Sequence, residues 1–311
     1  METSGTLGIS QGPSKRLPFI ETDAQFAYVL IVPLLVVLTL FYAFPIGYSL
    51  WLSLNRLNLT MGAQRFVGLQ QYSRALQDPV VQHAALITIC YTLLVTALTL
   101  VVSLGAALVL NERFRGRTFL VAVAVLPWAL STYMAAVVWR HMVSQEYGLL
   151  NGVLYSLGLI HSYIAFVTPS SALFVVAVAQ TWQISPLGIY FFLAALSVIP
   201  PDLYKVGQLD RLGVFGRFQY ITWPYLRTAV LIIMVIVSVE AARAFDIIYF
   251  LTQGGPGDAT TTLTWQIYQT TFTAFNIGYG TAISYLLVAW ILMVTSLYFL
   301  LFFRRAAGDH A

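Results

Sequence analysis

The chain has 311 residues, of which 59% are hydrophobic and only 9% are charged. Soluble domains carry about 25% charged residues, so a soluble globular fold is excluded because so few charges cannot cover its surface. The formal net charge is +4, but the basic residues are scattered instead of forming a stripe, which argues against nucleic-acid binding.

Residues 1–25 are polar and are predicted to form a cytoplasmic tail. The apolar run that follows is about twice as long as the hydrophobic core of a signal peptide. It is preceded only by Lys15 and Arg16, and no small-residue cleavage pattern follows it. The sequence therefore predicts that this run is retained as a transmembrane helix.

Six apolar stretches are long enough to cross the hydrocarbon core, which takes about 20 helical residues. Strands of a membrane barrel are about half as long and alternate in polarity, so helices are favoured. The predicted spans are Phe26–Leu52, Ala84–Leu110, Thr118–Trp139, Ser171–Ile199, Thr228–Leu251 and Thr281–Phe303. Kinks are expected at Pro33, Pro45, Pro127 and Pro186. The predicted fold class is an all-α integral membrane protein with a six-span domain over 26–303 and a cytoplasmic tail over 304–311.

The distribution of lysine and arginine predicts the orientation, because cytoplasmic segments are enriched in both. With the N-terminus inside, four basic residues fall outside and one, Arg243, falls within a span. The outer four are Arg56, Arg65, Arg74 and Arg140. The cytoplasmic segments hold the other basic residues, Lys15, Arg16, Arg113, Arg115, Arg117, Lys205, Arg211, Arg217, Arg227, Arg304 and Arg305. Both termini are therefore predicted to be cytoplasmic. The outer loops 53–83, 140–170 and 252–280 are each near thirty residues, long enough for short helices but too short for a separate domain.

The sequence lacks the patterns expected for a catalytic or metal site. The single cysteine, Cys90, cannot support a disulfide framework. The four histidines lie in separate segments without metal-ligand spacing, at His83, His141, His161 and His310. No Gly-x-x-x-x-Gly-Lys-[Ser/Thr] motif is present. We therefore expect no metal, no cofactor and no enzymatic activity on this chain, and an intramembrane enzyme is disfavoured.

The fourth span has a polar cluster just before Pro186, which includes Gln180, Trp182 and Gln183. Amides suit a neutral polyol, and an indole face suits the apolar face of a sugar ring. The cluster could equally provide hydrogen bonds between helices. On a regular helix Trp182 would point away from the two glutamines, so Pro186 would have to distort the turn for all three to face one cavity.

The fifth span contains three ionisable residues, Glu240, Arg243 and Asp246, spaced three residues apart. At this spacing Arg243 can bridge both acids on one side of a helix. Ionisable groups within a membrane are costly and commonly mark a solute path. Two interpretations follow: a structural ion-pair ladder against a neighbouring helix, or part of the lining of the path.

The cytoplasmic segment 200–224 has the sequence PPDLYKVGQLDRLGVFGRFQYITWP. Leucine or valine recurs every third residue from Leu203 to Leu212, which predicts a short amphipathic helix. Asp202 is expected to cap it, and Gly213 and Gly216 are expected to end it. Composition alone also fits a helix lying on the lipid surface.

This segment resembles the cytoplasmic "EAA loop" of ABC importer permeases. It keeps the family's Tyr204, Asp210, Phe218, Ile221 and Pro224. It departs from the pattern at Lys205, Val206, Gly207, Arg211 and Trp223, which replace Glu, Ala, Ala, Gly and Leu. The resemblance implies that the loop docks as a coupling helix on a cytosolic ATPase. The residues implied in that contact are Asp202, Leu203, Tyr204, Lys205, Val206, Gly207, Leu209, Asp210 and Arg211.

Four further motifs in the matching topological places resemble those of sugar permeases of the maltose-transporter type. They are Phe66–Tyr72, Leu126–Trp128, Leu251–Pro256 with Thr260 and Thr261, and Phe275–Gly280. The chain is similar to the larger permease of that type without its extra N-terminal helices and large periplasmic insertion. The family's sugar site falls on Gln180, Trp182 and Gln183, whereas its fifth-span contacts fall on Val237, Ala241 and Ala244, which cannot form side-chain hydrogen bonds.

The resemblance implies a permease of an ATP-driven importer in a prokaryotic plasma membrane. Its expected partners are a second permease, two ATPase subunits that bind ATP and Mg, and an external solute-binding protein. A neutral carbohydrate, a disaccharide or small glycoside, is the predicted solute. Polyol or glycerol-phosphate solutes are the first alternative. An ion-coupled secondary transporter, which would use Glu240–Asp246 as an ion site, is the second.

Overall fold

The computed structural model describes residues 23–59, 62–112 and 114–308. Most of the predicted tail 1–25 and the last three residues of the predicted tail 304–311 lie outside what is described. Lys15, Arg16, Arg113, His310 and the side chains of Arg304 and Arg305 also lie outside it. Internal contacts divide the chain into two units, Met1–Trp51 and Leu52–Ala311.

The first predicted span forms two helices joined without a break. Helix α1 covers Asp23–Leu38, a π-helical turn covers Thr39–Ala43, and α2 covers Phe44–Ser53. The Phe44 N–H donates to the Thr39 carbonyl, five residues earlier. The wider turn accommodates the next residue, Pro45, which has no N–H to donate.

The second unit begins with a β-hairpin that the sequence analysis missed. Strands β1 (Asn55–Asn58) and β2 (Ala63–Phe66) are antiparallel, and helix α3 (Gln70–Gln77) follows them. The Ser53 and Tyr72 hydroxyls share a hydrogen bond of 2.6 Å, and Val67 N donates to the Leu54 carbonyl at 2.9 Å. These bonds fold the outer segment back on itself, so it contains a strand pair besides the expected short helix.

The centre of the second unit is formed by three long helices. These are α4 (Pro79–Asn111), α8 (Ala172–Ser197) and α11 (Trp223–Ala242). Asp78 caps α4 because its carboxylate accepts a hydrogen bond from Val80 N at 3.0 Å. The buried core between the three helices includes Tyr91, Val95, Val176, Phe192, Ile233 and Val237. Pro186 lies inside α8 without ending it.

The third predicted span, Thr118–Trp139, is not one straight helix. Helix α5 (Arg117–Ala129) and α6 (Thr132–Met142) meet at an angle of 102°. Leu130 is extended, and the Ser131 side chain caps α6 by accepting a hydrogen bond from Met134 N at 3.3 Å. The Ser131 cap lies within the apolar run and takes the place of the helical hydrogen bonds that would continue α5 into α6. The chain therefore breaks at Leu130, three residues after the kink expected at Pro127. Helix α7 (Leu149–Ser156) lies in the next loop.

The fifth predicted span, Thr228–Leu251, begins too late and is not one continuous helix. The helical path begins with α10 (Val214–Arg217), continues through a π-helical turn (Phe218–Thr222) and runs into α11. It ends at Ala242, and a separate helix, α12, covers Asp246–Leu251. The loop helix α9 (Pro201–Leu209) precedes this path.

The chain ends in α13 (Leu263–Tyr268), a π-helical turn (Gln269–Thr273) and α14 (Ile277–Gly308). At Gly278 a Cβ would collide with the Asn55 carbonyl oxygen, so α14 begins in close contact with β1. By length and composition, five helical paths in the described chain can cross a membrane, or six if the bent α5–α6 pair counts as one span. The N-in, C-in orientation stays a prediction.

Candidate functional site: the α8 face, the α11–α12 break and the coupling loop

The three residues proposed in the fourth span do not share one environment. Gln180 is 4% exposed, and its amide oxygen accepts a hydrogen bond of 3.0 Å from the hydroxyl of Tyr91 on α4. Trp182 and Gln183 are half-buried. Because α8 stays helical through Pro186, no distortion turns Trp182 to the side of the helix that Gln180 and Gln183 share. Gln180 therefore ties α8 to α4 and does not line an open face.

The open face of α8 is marked by Gln183 and Tyr190, which lie seven residues apart and so share one side of the helix. Gln183 is half-buried and Tyr190 is 45% exposed. The Trp182 ring lies beside this face and contacts Trp139 of α6 edge-to-face, with ring centroids 6.2 Å apart. Sequence reasoning missed Tyr190, although its spacing from Gln183 could have indicated it.

The ionisable group of the fifth span lies where α11 ends. The Arg243 guanidinium donates to both carboxylate oxygens of Glu240, with Nε 3.3 Å from Oε2. Asp246 is exposed and has no ion pair with Arg243; it is the first residue of α12. The predicted two-sided ladder is therefore wrong, because the helix breaks between its members. An acid at the N-terminus of α12 is favoured by the helix dipole.

The break at 243–245 is held by contacts from other helices. The Thr264 hydroxyl donates to the Ala244 carbonyl at 2.7 Å, which satisfies a backbone group that the broken helix leaves free. Arg140 of α6 donates to the Phe250 carbonyl at 3.3 Å, near the end of α12. The sequence identifies Arg140 only as an outer cation, because its partner lies 110 residues away.

Aromatic rings surround α12 and connect it to its neighbours. Tyr249 contacts both Trp265 and Tyr268, with ring centroids 5.9 Å and 5.4 Å away. Phe250 packs edge-to-face on Tyr133 at 4.4 Å. Because these rings are only partly buried, the cluster both fixes α12 and offers aromatic faces beside the helix break.

The Leu251–Pro256 motif forms a compact loop just after α12. Gly254 has φ +81°, and a Cβ there would collide with the Trp265 indole, so only glycine fits. The Thr261 hydroxyl donates to the Gly254 carbonyl at 3.1 Å, and the Thr252 and Thr260 hydroxyls share a bond of 2.8 Å. The motif's glycine and threonines therefore have a structural role.

The coupling helix α9 is anchored through one face. The Tyr204 and Thr222 hydroxyls share a hydrogen bond of 3.0 Å. Gly207 is buried, and a Cβ there would lie 2.8 Å from Cδ1 of Ile221. Glycine thus lets α9 approach the π-helical turn at the start of α11. Lys205 pairs with Asp202 at 2.7 Å on the exposed surface, so Asp202 is not the expected cap.

The end of α9 also differs from the prediction. The helix stops at Leu209, and Leu212 N donates to the Gly207 carbonyl at 2.9 Å. Arg211 takes the left-handed conformation, with φ +55°, that closes helices and that glycine usually supplies. Gly213 and Gly216 lie beyond this closure and do not end α9.

The other side of the loop presents a large apolar surface. Leu209 is 82% exposed, and Val214 and Phe215 are 78% and 77% exposed. Val206 and Leu203 extend this surface along α9. Contiguous exposed apolar side chains beside charged ones mark a contact surface for a protein or a membrane.

No family model matches the chain. It is 35% identical over 280 residues to the trehalose/maltose transport system permease protein MalF of Thermococcus litoralis, covering 89% of this chain and 93% of the relative. It is 31% identical to the sulfoquinovosyl glycerol transport system permease protein SmoG of Agrobacterium fabrum, covering 89% and 90%. The chain belongs to the family of ABC sugar-importer permeases.

This family assignment agrees with the fold of a solved permease. A bacterial ABC transporter that imports the acidic polysaccharide alginate superposes with a TM-score of 0.77 at 19% identity, covering 90% of this chain and 96% of that one. The importer-permease fold and the multi-pass membrane character are thereby confirmed. The predicted role as a transport subunit, not an enzyme, is confirmed by the relatives, which are named as permease proteins.

Proposed function

We propose that this permease conducts a neutral carbohydrate, a disaccharide or small glycoside, along the open face of α8. The proposal rests on one observation: the Gln183 amide and the Trp182 indole are neighbours on α8, and both are half-buried. Helix α8 packs against α11. An amide both donates and accepts hydrogen bonds, as sugar hydroxyls do, and an indole packs on the apolar face of a sugar ring. Tyr190 adds a ring and a hydroxyl to the same face.

The charged group at the break between α11 and α12 favours a neutral solute over an anionic one. Glu240 and Asp246 carry two negative charges and Arg243 one positive charge, so the group has a net charge of −1. Arg243 already bonds to Glu240. A phosphate or sulfonate would need an unpaired cation or a free helix N-terminus, and the N-terminus of α12 already has Asp246.

The relatives carry solutes of both kinds. The name of the relative at 35% identity gives trehalose and maltose, which are neutral disaccharides. Another relative, at 30% identity, is the sn-glycerol-3-phosphate transport system permease protein UgpA of Yersinia pestis. Glycerol-phosphate and polyol solutes therefore form the alternative within this family. The ion-coupled transporter is set aside because the chain belongs to an ABC family.

A reconstituted importer separates these solutes. The complex with its second permease, ATPases and binding protein would be assayed for uptake and ATPase stimulation. The panel would hold trehalose, maltose, a polyol, glycerol 3-phosphate and sulfoquinovosyl glycerol. We expect stimulation by a neutral disaccharide or glycoside. Stimulation by the anionic solutes alone would contradict the proposal.

Two glutamines on α8 provide a matched pair of variants. Gln183→Leu should lower uptake or change solute preference while the folded yield stays near that of the wild type. Gln180→Leu should lower the folded yield instead, because it removes the partner of the buried Tyr91 hydroxyl. If Gln183→Leu transports normally, the α8 face does not contact the solute.

We also propose that α9 docks on a cytosolic ATPase that binds ATP and Mg, with two such subunits and a second permease completing the importer. Leu209, Val214 and Phe215 would fill an apolar cleft on the ATPase. The alternative, a helix lying on lipid, is disfavoured because Asp202 and Asp210 are exposed beside these residues. An external binding protein delivers the solute; a related alginate importer was solved with its periplasmic protein bound. The proposed location is a prokaryotic plasma membrane.

A further inference from the structure

A polar cavity lies beside α3, away from the α8 face. It has a volume of about 480 Å³. Its lining comes from β1, from one side of α3 and from the residue that caps α4. We call it the polar cup, and its main residues are Arg56, Gln70, Gln71, Arg74, Gln77 and Asp78.

The polar cup has a net positive charge, because it contains two arginines and one aspartate. Asp78 is already engaged: one oxygen accepts from Val80 N at 3.0 Å and the other accepts from the Tyr279 hydroxyl at 2.7 Å. The Arg74 guanidinium lies over the Tyr279 ring, 4.4 Å from its centroid. Within residues 23–59, 62–112 and 114–308, neither arginine of the cup forms a salt bridge.

Gln71 also lines the cup and is 4% exposed as a whole residue. An amide both donates and accepts hydrogen bonds, so it can complement a polar headgroup beside the two arginines. The lining therefore places two cations and an amide around the cavity, where they can meet a ligand that carries an anion.

An apolar groove begins one turn of α3 away from the cup. Its volume is about 210 Å³, and its lining includes Leu76, Val81, Ala85, Ile89, Leu286 and Trp290. These residues come from the end of α3 and from the first turns of α4 and the middle of α14. Between residues 74 and 78 the linings alternate, because Arg74, Gln77 and Asp78 line the cup whereas Ala75 and Leu76 line the groove. The two cavities therefore flank the last turn of α3, and a ligand that occupies both passes around that turn.

The groove lies beside the first turns of a helix that is long and apolar enough to cross a membrane. Helix α4 has 33 residues, which is about 50 Å of helix against a hydrocarbon core of about 30 Å. Because the helix is longer than the core is thick, its first turns are expected near one boundary of the core, where a lipid can meet both a charged cup and an apolar groove.

We propose that the cup and the groove together bind an anionic phospholipid, with its headgroup phosphate on Arg56 and Arg74 and one acyl chain along Ala85 and Trp290. The amphipathic shape of the site matches the amphipathic ligand. The net charge of the cup favours a lipid with a net negative charge over a zwitterionic one.

The test uses the purified full chain and native mass spectrometry, with phosphatidylglycerol and phosphatidylcholine as probes. The wild type should retain phosphatidylglycerol in preference. The Arg56→Gln and Arg74→Gln double variant should lose about tenfold in its retention and lose the preference. Arg65→Gln is the matched control, because Arg65 lies directly opposite Arg56 in the hairpin but outside the cup. If the double variant folds poorly because Arg74 no longer stacks on Tyr279, the single variant Arg56→Gln replaces it in the same retention measurement.

A second arm distinguishes a lipid from a free anion. Ala85→Phe fills the groove and should lower retention of phosphatidylglycerol with both arginines intact, and glycerol 3-phosphate should not displace the lipid. Displacement by glycerol 3-phosphate together with no effect of Ala85→Phe would overturn the proposal in favour of a free-anion site. Unchanged lipid retention in the arginine variants, with loss of ATPase stimulation by the binding protein, would overturn it in favour of a protein contact.

Discussion

Helices α4 and α8 are in close contact at Gly188, and a single methyl group there tests the packing. A Cβ on Gly188 would lie 2.5 Å from Oγ and 2.8 Å from Cβ of Ser103. The Ser103 hydroxyl donates to the Ser185 carbonyl at 2.9 Å, so it cannot turn aside without losing that bond. Small residues at helix contacts allow such approaches in membrane proteins.

Gly188→Ala should therefore destabilise the fold. Overpacking a close contact costs about 1–3 kcal/mol, and loss of an interhelical bond adds about 0.6 kcal/mol. Gly105→Ala is the matched control on α4, because nothing lies within 4 Å of the added methyl group. That variant should be neutral or gain up to about 1 kcal/mol, since alanine is the better helix former.

The measurement is reversible unfolding of the purified chain in mixed detergent micelles, completed as a double-mutant cycle with Ser103→Gly. Removing the serine side chain makes room for the new methyl group. The double variant should therefore be about as stable as Ser103→Gly alone, and the two changes should not add. Additive effects, or a Gly188→Ala chain as stable as the wild type, would refute the close contact of α4 and α8.

Three further predictions concern the coupling loop and the charged group. Arg211→Gly should raise stability by about 1 kcal/mol in the same unfolding assay, because glycine takes φ +55° without steric cost; a loss of stability would contradict this reasoning. Leu209→Asp should lower ATPase co-purification and uptake, whereas the neighbouring exposed change Gln208→Asp should lower them much less; equal effects would point to charge and not to apolar docking. Arg243→Ala should change uptake more than folded yield, because the Arg243–Glu240 pair lies on the exposed side of α11; a collapse in yield with unchanged solute preference would indicate a structural pair.

The spans could be predicted from the sequence because hydropathy is a local property. Runs such as 79–111 and 172–197 are apolar whatever they pack against. The two breaks could not be predicted in the same way. At Leu130–Ser131 a serine cap interrupts an apolar run, and at 243–245 the freed backbone is satisfied by Thr264, which is distant in sequence.

Side-chain roles in the candidate site were predictable only where they depended on local spacing. The Glu240–Arg243 pair is confirmed because three residues along a helix bring the two side chains together. Gln180 looked like a path residue because nothing in its neighbourhood reveals that Tyr91, 89 residues earlier, bonds to it. The resemblance to the EAA loop located α9 correctly. The end of α9 was not predictable, because Arg211 takes the left-handed conformation for which glycine is the usual sequence signal.

The contacts of α9 suggest how the proposed docking would reach the solute path. Its buried face is held by Ile221 and Thr222, which belong to the π-helical turn that continues into α11. A displacement of α9 by an ATPase would therefore act directly on the first turn of α11, and α11 ends at the Glu240–Arg243 pair. Because a packed helix moves as a rigid element, its two ends cannot shift independently. Disrupting the anchor with Gly207→Leu should thus uncouple ATP hydrolysis from uptake while the α8 face keeps its solute preference, and a variant that couples normally would show that α9 acts on the path by another route.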